Sequence, residues 1–128
     1  MRAGILSILA IFVWVMATSF RGSPKMVKTF ISSGNDLASI QLTLYDNHKY
    51  IMDIRPLGEG EILKYKGRWK IEGEKYRLRF KKKHDLKTIF DRKIPGCTKA
   101  EIVKNKIFFP VKANDICIWG IACVEKMP

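Results

Sequence analysis

The sequence predicts an all-β fold: an antiparallel meander of seven or eight strands closing into a small barrel, preceded by an N-terminal signal helix. Three observations carry this expectation. Ile62 to Lys83 alternates apolar and cationic side chains with the two-residue period of a strand. Clusters of Gly, Pro, Asn and Asp punctuate the chain from Ser39 onward at hairpin spacing. Residues 1 to 20 stand apart as an apolar stretch behind a short positive start.

At the N-terminus, Met1-Arg2 precedes an apolar run from Ala3 to Ala17, and Ala17-Thr18-Ser19 fits the small-x-small rule of a signal-peptidase site. This reads as a signal peptide over 1–19 and predicts export to the periplasm, the cell envelope or the medium. The run is about 15 residues, short of the roughly 20 that span a bilayer. A retained N-terminal membrane anchor and a buried N-terminal helix are the rival readings. Residues 20–38 read as a linker or N-terminal arm, within which Lys25 to Ser32 suits a short helix with Met26, Val27, Phe30 and Ile31 on one side. The β domain is expected over 39–128.

Ile40, Leu42 and Leu44 alternate with Gln41, Thr43 and Tyr45; Asp46-Asn47-His48 makes a turn; Tyr50, Met52 and Ile54 then alternate with Ile51, Asp53 and Arg55. A breaker cluster, Pro56 to Gly60, leads into the central hairpin. There Gly73-Glu74 suits a two-residue type II′ turn. That turn sets Trp69 opposite Leu78, Arg68 opposite Arg79, Lys70 opposite Arg77 and Lys66 opposite Lys81. Asp85 could cap a short helix through Leu86, Ile89 and Phe90, or Leu86 to Phe90 could be a strand. Ala100 to Val103, Lys106 to Lys112 and Ile116 to Val124 read as further strands, the last two as a hairpin with both faces apolar. Either that hairpin is covered on both sides, or Phe108 and Trp119 form an exposed contact patch.

Lys and Arg number 24 against 12 Asp and Glu, a formal net charge of +12. Such a balance points to acidic partners rather than to a fold. The excess gathers on one face of the central hairpin: Lys64, Lys66, Arg68, Lys70, Arg77, Arg79 and Lys81. This is either a solvated face or a docking face for an anionic membrane surface or an acidic protein, each basic residue contributing about 1 kcal/mol near anionic headgroups. Nucleic acid is the weaker expectation, because the hairpin's aromatic residues lie opposite the charges and so cannot stack on bases. The other face, with Tyr50, Trp69, Leu78 and Phe80, would line a barrel interior able to carry a small apolar ligand.

No catalytic constellation, cofactor motif or metal site stands out. His48 and His84 fall in a turn and a basic loop, without a nucleophile motif beside them. Gly58-Glu59-Gly60 lacks the Lys-Ser/Thr of a phosphate loop. A non-enzymatic binding protein is therefore expected. Of the three cysteines, Cys117 and Cys123 would lie about 20 Å apart on a single strand and could not bridge. Cys97 could pair with Cys117 or with Cys123, or all three could be buried thiols.

Ile40-Gln41-Leu42-Thr43-Leu44 with Asp46 and Tyr50, then Gly67-Arg68-Trp69, then Tyr76-Arg77-Leu78, follow L-x-L-x-x-D-x-x-Y … G-x-W … L-x-L. This resembles the small exported lipocalin-like β-barrels of bacterial envelopes, such as the N-terminal domain of NlpE-type proteins, over about a third of the chain. The resemblance implies a lipocalin-like barrel with Tyr50, Gly67 and Trp69 as architecture. The lipobox cysteine and CxxC of that group are missing, so its metal binding does not carry over.

Overall fold

Alternating side chains build one curled antiparallel sheet, described by a computed structural model over residues 23–32, 38–56, 60–91 and 96–126. Its strands are β1 (Met26–Ser32), β2 (Ala38–Tyr45), β3 (Lys49–Pro56), β4 (Leu63–Glu72), β5 (Lys75–Arg79), β6 (Glu101–Val103), β7 (Lys106–Pro110), β8 (Asp115–Ile118) and β9 (Ile121–Glu125); one short helix, α1 (Leu86–Phe90), lies between β5 and β6. The nine strands run in the order β6-β7-β5-β4-β3-β2-β1-β9-β8, a half-barrel. The expected signal peptide over 1–19 lies outside the described residues. Among those described, no helix is long and apolar enough to cross a membrane.

The predicted meander is present as β2 to β5. Asp46-Asn47-His48 turns β2 into β3, with His48 at φ 64° and its N–H donating to the Tyr45 carbonyl. Gly73, at φ 64°, is the first central residue of the β4–β5 turn, where only glycine takes a positive φ without cost. The register then pairs Trp69 with Leu78, Arg68 with Arg79 and Lys70 with Arg77, as the turn predicts. Lys66 does not pair with Lys81, because β5 ends at Arg79. Beyond it the Phe80 backbone turns to Asn105, which exchanges two 2.8 Å hydrogen bonds with it through its carbonyl and its side-chain amide.

Three further expectations are corrected. Lys25 to Ser32 is not helical: Met26–Ser32 is a strand paired with both β2 and β9, so part of the expected arm belongs to the sheet. Val27, Thr29 and Ile31 are β-branched, and a helix there would leave two sheet edges bare. The segment from Ile116 is not one strand but two, turned by Trp119 and Gly120 at φ 56° and 72°, both left-handed as a type I′ turn requires. A tryptophan rarely takes that conformation; here its N–H is held 2.6 Å from the Ile89 carbonyl. Finally, β7 and β8 do not form a hairpin, since β7 pairs with β5 and β6 while β8 pairs with β9.

The edge strands β6 and β8 are not paired with each other. Helix α1 touches both and spans the space between them. The helix option for Leu86 to Phe90 holds because Asp85 caps it, accepting from the Lys87 N–H at 3.2 Å and the Thr88 hydroxyl at 2.8 Å. Beside it Thr98 runs along β8, accepting from the Cys117 N–H and donating twice to Asp115. A Cys97–Cys117 disulfide, Cα to Cα 5.4 Å, fixes this segment. It covers the outer side of β8, and Phe108 and Trp119 are half-buried. Cys123 is a buried free thiol. It faces inward beside Ile116, while Cys117 faces outward beside Ala122, so the two cannot bridge although their strands are neighbours.

Inside the curl lie Phe30, Leu42, Tyr50, Met52, Leu78, Phe109 and Ile116, all fully buried. The apolar pattern is broken on β1. Lys28 points inward on β1, its ammonium donating to the Val111 and Ala113 carbonyls at 2.8 and 3.2 Å. It also sits 3.8 Å from Glu125 and over the rings of Phe30 and Tyr76. Its sequence neighbours read as an arm, which concealed this role.

A candidate anion-binding face

The outward positions of four successive strands align into one cationic row. Lys49 pairs with Arg68, Arg68 with Arg79, and Arg79 with Lys106. Strands lie about 4.8 Å apart, so the row spans about 14 Å. Lys66 stands beside it across from Ile51, and Lys64 across from Asp53. Towards the turn Lys70 faces Arg77, and Arg77 is met by Glu72 at 3.8 Å; Lys75 is met by Glu101 at 3.2 Å. The tip of the face is thus partly neutralised. Among the described residues Lys49, Lys64, Lys66, Arg68, Lys70, Arg79, Lys81 and Lys106 have no ion-pair partner.

Sequence reasoning found the hairpin members of this face and missed Lys49 and Lys106. Lys49 follows the turn, and its register against β4 depends on a connection rich in breakers. Lys106 joins through β5–β7, a pairing no local pattern announces. Lys81 lies past the end of β5, exposed, and outside the row.

Directly opposed like charges destabilise a sheet by about 0.2–1 kcal/mol per pair. The inner face holds them in place. Tyr50 donates to the Arg79 carbonyl at 2.8 Å, and Trp69 Nε1 donates to the Tyr45 carbonyl at 2.9 Å. The Tyr50 ring lies over Gly67, where a Cβ would meet the Arg79 carbonyl oxygen and stand 2.7 Å from the Tyr50 hydroxyl. Burial raises the Tyr50 pKa above its ordinary value, so the hydroxyl stays a donor. Tyr50, Trp69, Leu78 and Phe80 are all buried on the inner face, where the rings pack: Tyr50 on Phe80 at 5.1 Å, Trp69 on Tyr76 at 5.7 Å, Phe80 on Phe90 at 5.5 Å.

The face is concave between β3 and β4. A groove of about 650 Å³ there is lined by Lys49, Lys66 and Arg68 together with Tyr45, Ile51 and Pro24. A second cleft, about 750 Å³, lies by α1 and β6. Its lining opposes Asp85, Asp91 and Glu101 to Lys87, Lys99 and Lys104, and Lys99 is bound to Asp91 at 2.9 Å, so it presents no single sign of charge.

His48 lies 5.1 Å from Trp69, and His84 lies 4.8 Å from Tyr65. Burial lowers the His84 pKa, with Lys83 and Lys81 adding to the effect. Among the described residues no group of three or more His, Cys, Asp or Glu side chains is gathered to hold a metal. The chain matches no protein-family model, no curated protein and no solved structure.

Proposed function

We propose that this chain is an exported, non-enzymatic envelope protein of lipocalin-like build that binds anionic lipid surfaces through its basic outer face. The observation that carries the reading is the row Lys49–Arg68–Arg79–Lys106. A rigid sheet holds these cations side by side without counter-charge, an arrangement that opposes folding and that an anionic surface would relieve. Headgroups contribute about 1 kcal/mol for each basic residue brought near them. The apolar N-terminal run supports export, and the Cys97–Cys117 disulfide is compatible with an oxidising compartment.

Vesicle co-flotation across a salt series tests the proposal. The protein should float with anionic vesicles in excess over neutral ones. That excess should fall as salt shortens the screening length, from about 30 Å at 0.01 M to about 8 Å at 0.15 M. Charge reversal at Arg68 and Arg79 should remove it. Equal flotation with both vesicle types at low salt would sink the proposal and leave the face to an acidic protein.

A further inference from the structure

The groove between β3 and β4 has a stoichiometry of its own. Two outward cross-strand pairs, Lys49 with Arg68 and Ile51 with Lys66, bracket the inward pair Tyr50–Gly67. Four side chains therefore stand at the corners of a rectangle, about 5 Å across the strands and about 7 Å along them. Three corners are cationic and the fourth is Ile51. Within the rectangle the inward pair presents only backbone to the outside, which leaves the groove open.

Three cations lining one groove of about 650 Å³ suit a tetrahedral oxyanion, with the Arg68 guanidinium able to bind two of its oxygens. The apolar side matters equally. Ile51 and Pro24 line the same groove and offer nothing to a free, fully hydrated phosphate. They suit the glycerol and first methylenes attached to a phosphodiester. Ser23 also lines the groove.

We infer that the Lys49–Lys66–Arg68 groove is a discrete site for the phosphodiester of an anionic phospholipid headgroup. The inference rests on the proposed function for the source of the lipid. It goes beyond that reading in placing recognition at one saturable site rather than across the whole face.

The test is titration of the full chain with dihexanoyl phosphatidylglycerol below its micelle concentration, with inorganic phosphate as a parallel arm, read by amide chemical shifts and calorimetry. Dihexanoyl phosphatidylglycerol should saturate one site and move the amides of Ile51, Lys66 and Gly67. Lys66→Glu should weaken it by about tenfold or more, and Lys49→Gln by about fivefold. Lys112→Glu, the same charge change at an exposed position outside the groove, should alter it less than about twofold. Inorganic phosphate binding as tightly as the lipid would overturn the inference, as would equal losses in Lys66→Glu and Lys112→Glu. Salt-sensitive vesicle flotation without a saturable headgroup site would also overturn it, and would leave the proposed function standing. Saturable headgroup binding without an anionic-vesicle excess would uphold the site and sink the surface-binding reading.

Discussion

The hydroxyl of Tyr50 donates a 2.8 Å hydrogen bond to the carbonyl of Arg79, joining β3 to the end of β5 across β4. The bond can form because residue 67, on the strand between them, has no side chain. The same contact that completes the interior therefore fixes the backbone of a cation in the outer row. Gly67→Ala should cost about 3 kcal/mol, combining overpacking against backbone with loss of that bond. Tyr50→Phe should cost about 1 kcal/mol. Urea denaturation reads both, and the double variant should fall short of their sum because the two residues touch. Full tolerance of alanine at 67 would contradict the close approach.

Charge reversal on the row should separate stability from binding. In Arg79→Glu a carboxylate stands between Arg68 and Lys106, replacing two repulsive pairs by attractive ones. The variant should be unchanged or more stable by up to about 1 kcal/mol, yet lose salt-sensitive vesicle flotation. A melt lowered by several degrees would instead make the row part of what holds the sheet together.

The disulfide joins residues 20 apart and closes the side of the half-barrel where the edge strands do not meet. Loss of a loop closure of that length should cost about 3 kcal/mol. Cys97→Ser with Cys117→Ser should show it as a lowered denaturation midpoint. Amide exchange at position 117, whose N–H is bonded to Thr98, should then accelerate most. Acceleration spread evenly over the sheet would argue against local closure.

Lys28 ties β1 to the β7–β8 connection through two carbonyls and to β9 through Glu125. Lys28→Met keeps the stem but leaves those acceptors and the carboxylate unpaired, and should cost about 2 kcal/mol. Adding Glu125→Gln should restore part of the loss, which thermal unfolding followed by circular dichroism would read. Without that rescue, the ion pair would contribute nothing.

Burial pushes the Cys123 thiol up to about 12 from its ordinary 9.0. The core accepts the neutral thiol and rejects the thiolate. Its stabilising contribution is therefore complete below pH 9.0 and declines as pH rises from there towards about 12. Cys123→Ala should flatten this part of the stability profile. The native thiol should resist alkylation at pH 8 and react once the chain is unfolded. Rapid alkylation of the folded protein would contradict its burial.

What the sequence determined by itself was local. The period-two alternation from Ser39 to Arg79 identified the meander, and Gly73-Glu74 set the β4–β5 register, because a two-residue turn leaves no freedom in pairing. The same alternation separated the basic from the aromatic side of that hairpin. Tertiary structure decided what depends on distant partners. Met26–Ser32 carries a pattern compatible with helix or strand, and became a strand because β2 and β9 each offered it an edge. The turn at Trp119-Gly120 lacked the usual Asn or Asp signal and is held by a bond to α1. Lys49 and Lys106 entered the cationic row only through pairings of β3 with β4 and β5 with β7. Local residue order fixes which side of a strand a side chain takes; which strands become neighbours depends on how the whole chain buries its apolar faces, and the row belongs to that second decision.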